Sequence, residues 1–186
     1  MNILEIIAAA TGILSIWFNR KANILVYPIG IISVLLYVYI CFGAKLYADM
    51  GINAFYFILN VYGWYNWTKP RAEGNLKITF QNQGHRWIAI GISAVLFGFL
   101  AFILSRFTDS DVPLIDAFTS ALCILGMYLT TQKKVENWIY YLIADAISIP
   151  LYIYKGLYFS SIQYAVFTIL AIMGLVEWRK EALKNA

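Results

Sequence analysis

Long apolar runs separated by short polar gaps fill this chain. Seven runs stand out, at 3–18, 23–42, 46–67, 87–107, 113–131, 137–154 and 157–178. A hydrocarbon core about 30 Å thick takes about 20 helical residues to cross, so each run is expected to be a span, the first and sixth being short. The gaps are brief except for 68–86, TKPRAEGNLKITFQNQGHR, which is long enough to be a true loop. The pattern predicts an all-α polytopic membrane protein with seven transmembrane helices.

Two runs interrupt their apolar character at helical spacing. The third carries Asp49, Asn53, Tyr56 and Asn60, and the sixth carries Trp138, Tyr141, Asp145, Ser148 and Tyr152. Steps of three and four place each set on one helix face. Polar groups are costly inside a membrane and mark interior or cavity-facing positions. At a rise of about 1.5 Å per residue, Asn60 and Asp145 each lie about 10 Å inside the tryptophan-bearing surface, so both can meet one ligand. The candidate binding residues are Asn53, Tyr56, Asn60, Trp64, Trp138, Tyr141, Asp145, Ser148 and Gln163, with Tyr164 a weaker one. Other roles compete. Asn53 and Asn60 can join helices by hydrogen bonds, and Asp49 reads as a solvated helix end. Trp17, Trp67, Trp87 and Trp178 read as an interfacial aromatic belt. Pro28 and Pro150 are expected to interrupt the second helix of each half, near a binding region.

The halves resemble each other. The stretch NVYGWYNW at Asn60–Trp67 and MGLVEW at Met173–Trp178 each end a run in Gly-x-x-x-Trp. Gly63 and Trp67 fall on Gly174 and Trp178 at an offset of 111, as does the Leu-Tyr pair at 46–47 on that at 157–158. Gly12, Asn23 and Tyr27 align with Gly126, Asn137 and Tyr141 at 114, and YVY at 37–39 with YIY at 152–154 at 115. The expected arrangement is 3+1+3, two parallel three-helix repeats joined by a linker helix, as in SWEET-type transporters. The segments are 1–67, 68–112, 113–178 and a tail at 179–186.

Composition agrees with a membrane protein. The chain is 61% hydrophobic and 13% charged, where a soluble domain is about a quarter charged. Lysine and arginine favour cytoplasmic loops. Eleven (Arg20, Lys21, Lys69, Arg71, Lys77, Arg86, Lys133, Lys134, Arg179, Lys180 and Lys184) fall on the side of the C-terminus, against Lys45, Arg106 and Lys155 on the other. The C-terminus is therefore expected in the cytoplasm and the N-terminus outside. The first run is followed by Asn19-Arg20-Lys21 with no small-residue cleavage site, so it reads as a span and not a signal peptide. The basic residues are spread over short loops, which argues against nucleic acid. Cys41 and Cys123 sit inside apolar runs and read as packing residues. Lone His85 excludes most histidine metal sites, and no G-x-x-x-x-G-K-[ST] loop occurs. A carrier or channel without a cofactor is favoured over a membrane enzyme.

The segments YADMGINAFYFILNVYGWYNW and NWIYYLIADAISIPLYIYKGLY resemble the bacterial nicotinamide riboside transporters of the Pnu family, and the resemblance extends over essentially the whole chain. It implies the 3+1+3 fold, a homotrimer in the inner membrane, and facilitated diffusion of a vitamin inward with trapping by a separate kinase. The family's sixth-span motif, Trp-x-x-Trp-x-x-x-Asn/Asp, falls on Trp138, Tyr141 and Asp145, with tyrosine in place of the second tryptophan. Relatives carry thiamine or riboflavin, so these, a sugar, or a membrane-enzyme role are the alternatives to nicotinamide riboside.

Overall fold

A computed structural model describes residues 3–43, 46–72, 74–156 and 158–185. Lys45 and Leu157, used in the charge comparison and in the Leu-Tyr alignment, lie outside these. Seven helices follow one another: α1 Ile3–Arg20, α2 Val26–Gly43, α3 Tyr47–Thr68, α4 Gln83–Phe107, α5 Pro113–Thr131, α6 Asn137–Tyr154 and α7 Tyr158–Lys184. They correspond one for one to the predicted runs. Five (α1, α2, α4, α5 and α7) are long and apolar enough to cross a membrane. The other two, α3 and α6, carry the polar stripes, and those side chains lower their hydropathy.

Local chemistry sets the ends. The Asn82 side chain accepts from the His85 N–H at 2.8 Å and caps α4, satisfying one of the free donors of the first turn. Pro113 opens α5, where its missing N–H costs no helix bond. The prolines do not break their helices. Pro28 sits in the first turn of α2, and α6 runs through Pro150 to Tyr154. A first-turn proline needs no amide partner, and Pro150 removes one intrahelical bond, to the Ala146 carbonyl, while the rest of α6 continues.

Six helices form a closed ring in the order α1, α2, α3, α5, α6, α7 and back to α1, while α4 lies outside against α5. Between helices in lipid, close packing and small residues replace the hydrophobic effect as the cohesive force. Gly63 of α3 receives the Tyr27 ring of α2, and Gly174 of α7 receives the Trp138 ring of α6. The ends of the ring differ in charge. The basic end carries Arg20, Lys21 and Lys133, and the acidic end carries Asp49, Asp109, Asp111 and Asp116.

One spacing relates the two halves. Left-handed residues occur at Ala22 (φ 49°) and Lys133 (φ 50°), 111 residues apart. The starts of α2 and α6 and the ends of α1 and α5 are separated by the same 111. This corrects the alignments at 114 and 115. Tyr27 corresponds to Trp138 and Gly12 to Cys123, because the turns contain no insertion. The identities at 114 and 115 are coincidences between apolar helices of similar composition.

The tryptophans divide into two groups. Trp17, Trp64 and Trp87 are exposed, whereas Trp67, Trp138 and Trp178 are buried. The belt expected of Trp67 and Trp178 is therefore corrected. Trp67 Nε1 donates to the Thr130 carbonyl at the end of α5, and Trp178 Nε1 to the Arg20 carbonyl at the end of α1, both at 3.1 Å. Each indole finds a helix-terminal carbonyl across the junction of the two halves, so burial leaves neither indole N–H unpaired; the Thr130 carbonyl also accepts from the Lys133 N–H.

The loop after α3 is strapped over the basic end. Thr79 pairs with the α5–α6 turn through Thr79 N–H to Lys133 O and Val135 N–H to Thr79 O. Glu136 accepts from the Gln81 N–H and from Arg86 at 2.9 Å, and Ile78 is buried beside Trp67 and Trp178. Glu136→Ala strands the buried Gln81 N–H and is expected to cost about 1–3 kcal/mol. Thermal unfolding of the purified protein in detergent measures this, and an unchanged midpoint would show the strap to be held elsewhere.

Candidate functional site

The ring encloses a cavity of about 980 Å³. At the acidic end it is bordered by exposed Asp49, Phe107, Asp109 and Asp111. At the basic end it stops at four aromatic rings. Tyr27 meets Trp67 edge-on at 5.0 Å, Trp67 meets Trp178 at 6.3 Å, and Trp178 meets Trp138 edge-on at 5.6 Å. The rings come in order from α2, α3, α7 and α6, so the two halves contribute equally to this plug. Below it lies the strap with Ile78.

Eight of the nine residues proposed from sequence line this one cavity: Asn53, Tyr56, Asn60, Trp138, Tyr141, Asp145, Ser148 and Gln163. Asn60 and Asp145, expected at one depth, are 3% and 4% exposed. Trp64 is not brought to it. It faces outward, 41% exposed, although its steps of four from Asn60 and three to Trp67 put it on the neighbouring part of the same helix face. Asn53 and Asn60 use their amide N–H groups within α3, bonding the carbonyls of Asp49 and Tyr56 at 2.9 and 3.0 Å. Their side-chain oxygens remain available as acceptors. Tyr152 stacks on Tyr164 at 5.0 Å with an 18° tilt, and Trp138 lies 6.1 Å from Tyr141. These rings give the cavity flat apolar walls between its polar groups.

The electrostatics are one-sided. Among the described residues, five carboxylates line the cavity, Asp49, Asp109, Asp111, Asp116 and Asp145, against Lys155 alone. Lys155 is engaged already, with Nζ 2.8 Å from both Asp116 oxygens, and Ser110 also donates to Asp116. Among the described residues Asp145 forms no side-chain hydrogen bond or ion pair with another residue. A buried charge is ordinarily paired. A carboxylate so placed can pair with a cation or accept from a hydroxyl.

The α1, α2 and α5 side of the cavity was missed. Ser15 and Asn19 in α1, Gly30, Ser33 and Tyr37 in α2, and Thr119, Cys123 and Thr130 in α5 all line it. Their spacings of three, four and seven were present in the sequence, but small and weakly polar residues at such steps equally describe tight helix packing. Ser15 and Ser33 do bond to neighbouring backbone, at Val26 and Ala8.

Residues 2–180 match the family described as nicotinamide mononucleotide transporter. The chain belongs to this family. Its relatives include the nicotinamide riboside transporter PnuC of Escherichia coli (strain K12), 27% identical over 205 residues that cover 96% of this chain and 86% of that one. The riboflavin/roseoflavin transporter RibM of Streptomyces davaonensis is 28% identical over 184 residues, covering 95% and 81%. The crystal structure of the vitamin B3 transporter PnuC superposes with a TM-score of 0.79, at 23% identity, over 98% of this chain and 83% of that one. Family membership and five membrane-length apolar helices make this a multi-pass membrane protein of a transporter family. The shared fold extends over the ring and α4 alike.

Proposed function

We propose that the protein carries nicotinamide riboside across the bacterial inner membrane by uniport. Asp145 carries this reading, as a buried carboxylate without a cation partner among the described residues, in a cavity where Lys155 is already paired. Nicotinamide riboside joins a pyridinium cation, a carboxamide and ribose hydroxyls. Aromatic faces such as Trp138, Tyr141 and Tyr152 attract a ring cation by about 0.5–2 kcal/mol each, depending on desolvation. The Asn53, Asn60 and Gln163 amides complement the carboxamide and hydroxyls. Asp145 offsets the charge or accepts from ribose. Riboflavin is neutral and leaves Asp145 uncompensated. Binding of nicotinamide riboside to the purified protein, with nicotinamide, thiamine and riboflavin as competitors, tests the assignment. Stronger competition by riboflavin than by unlabelled nicotinamide riboside would overturn it.

The 3+1+3 arrangement, with repeats 1–67 and 113–178 around the linker 68–112, is supported by the common spacing of 111 and by the equal shares of the two halves in the ring. The cationic residues of the basic end support a cytoplasmic C-terminus, the tail 179–186 included, and an outside N-terminus. The plug then closes the cytoplasmic exit. A C-terminal alkaline phosphatase fusion should be inactive, and activity would reverse the topology. The homotrimer implied by the resemblance is checked by native mass spectrometry.

A membrane potential favours cation influx by about 2.3 kcal/mol per charge per 100 mV, so no coupling ion is required for uptake. Uptake into liposomes should follow voltage and be indifferent to sodium or proton gradients. Gradient-dependent accumulation at zero voltage would count against uniport. Phosphorylation by a separate kinase would retain the vitamin inside.

A further inference from the structure

A second cavity, of about 540 Å³, lies at the basic end beneath the plug. The α1 end and the turn after it contribute Arg20 and Lys21, the strap contributes Lys77, and the α5–α6 turn contributes Lys133. Trp178 forms part of its wall. Two carboxylates also border it. Glu177 Oε2 lies 3.5 Å from Arg20 Nε, and Glu181 pairs with Lys184 at 3.0 Å. Lys21, Lys77 and Lys133 meet no carboxylate within ion-pair distance among the described residues.

Arg20 is the most buried of these groups and is only loosely engaged, by Glu177 at 3.5 Å and by the Trp17 ring at 4.0 Å. It is 4% exposed, its Nε has no hydrogen bond, and its Nη1 donates to the Met173 sulfur at 3.2 Å. A thioether is a weak acceptor, so a buried guanidinium is left with much of its donor capacity unused. Lys133 is crowded as well. Burial, and then the Arg71 charge, lower its pKa from the ordinary lysine value. Its Nζ stands 4.3 Å above the Trp67 ring. Both tryptophans at the centre of the plug thus adjoin this cationic pocket, Trp178 as its wall and Trp67 under Lys133.

We infer that this pocket binds a phosphate monoester and that the bound anion holds the basic end shut. A doubly charged tetrahedral group can accept from guanidinium and ammonium donors at once. The volume falls in the range of small-molecule sites, about 300–1,000 Å³, so a sugar-sized body fits beside the phosphate. Arg20 and Lys21 belong to the first half and Lys133 to the second. An anion between them joins the two halves where they must part for an inward exit to open. A phosphorylated product accumulating inside would slow further influx. Anionic lipid headgroups present the same phosphate chemistry. The binding claim stands apart from the transport reading, while its effect on the exit rests on that reading.

The test uses full-length protein in neutral phosphatidylcholine nanodiscs, with ribose 5-phosphate as probe and ribose as control. Equilibrium dialysis should show binding of the phosphate ester and none of ribose. Lys133→Gln and the exposed-strap variant Lys77→Gln, each checked for folding by size-exclusion, should weaken it at least about fivefold through loss of one charged hydrogen bond. No binding, or binding unchanged by both substitutions, overturns the site. Repeating the titration with phosphatidylglycerol present distinguishes the sources. Lost affinity identifies the headgroup as occupant, and unchanged affinity identifies a soluble ester. In liposomes of neutral lipid, internal ribose 5-phosphate should slow nicotinamide riboside uptake, and binding without slowing overturns the coupling to the exit. A protein that binds the ester yet carries no nicotinamide riboside would fail the transport reading alone.

Discussion

Asp145→Ala is expected to weaken nicotinamide riboside binding at least about tenfold, equivalent to about 1.4 kcal/mol, without lowering the stability of the unliganded protein. The two halves of this expectation have one cause. Asp145 is buried at 4% exposure on the cavity wall, and among the described residues no cationic side chain pairs with it. A charge in that position is costly until a ligand compensates it. Removing it takes away a ligand contact and relieves the empty protein of an uncompensated group. A residue that merely joined helices would behave oppositely, because its loss would lower the thermal midpoint. Asp145→Asn keeps the shape and a hydrogen-bonding oxygen and should be milder for binding. Titration calorimetry and thermal unfolding on the same preparations check both halves. Unchanged affinity in folded Asp145→Ala would remove the residue from the site.

Gly63→Ala and Gly174→Ala are expected to be destabilising by about 2 kcal/mol each, although alanine is the better helix former by about 1 kcal/mol. A Cβ on Gly174 would stand 2.5 Å from Trp138 Cζ2, and one on Gly63 would overlap the Tyr27 ring. Neither ring can step aside. Trp138 and Tyr27 are 0% and 1% exposed and are held edge-on by Trp178 and Trp67. Overpacking a filled site costs about 1–3 kcal/mol, at the upper end where neighbours cannot relax. Gly91 and Gly98 of α4 provide the control. Nothing lies within 4 Å of a Cβ at either position, so alanine there should be neutral or stabilising by helix propensity. Thermal midpoints in one detergent compare all four variants. Tyr27→Leu should recover part of the loss in Gly63→Ala by making room. A Gly63→Ala protein as stable as Gly91→Ala would mean that the plug repacks freely.

Much of the architecture could be read in one dimension, because a membrane imposes a simple rule. Every span must be an apolar helix of bilayer length, so run lengths alone located α1 to α7. Polar side chains that violate the rule must face inward, which brought eight of nine proposed residues to one cavity. The Gly-x-x-x-Trp endings at Gly63–Trp67 and Gly174–Trp178 share the spacing of 111 that separates the starts of α2 and α6 and the ends of α1 and α5.

Packing alone decided the rest. Trp64, Trp67 and Trp178 sit at similar places in their runs, and nothing local distinguishes an indole at the lipid interface from one in a plug. Trp67 and Trp178 can be buried because each indole N–H finds a helix-terminal carbonyl on the opposite half, at Thr130 and Arg20. Trp64, three residues earlier in α3, is 41% exposed and its indole makes no such bond among the described residues. The same holds for the correspondence of Tyr27 with Trp138, two different residues that fill the same place against Gly63 and Gly174. It holds again for the contributions of α1, α2 and α5 to the cavity, where a serine beside a glycine serves packing and lining equally. Periodicity along a helix determines which residues share a face. What that face meets depends on helices distant in the chain, and that is settled only when the ring closes.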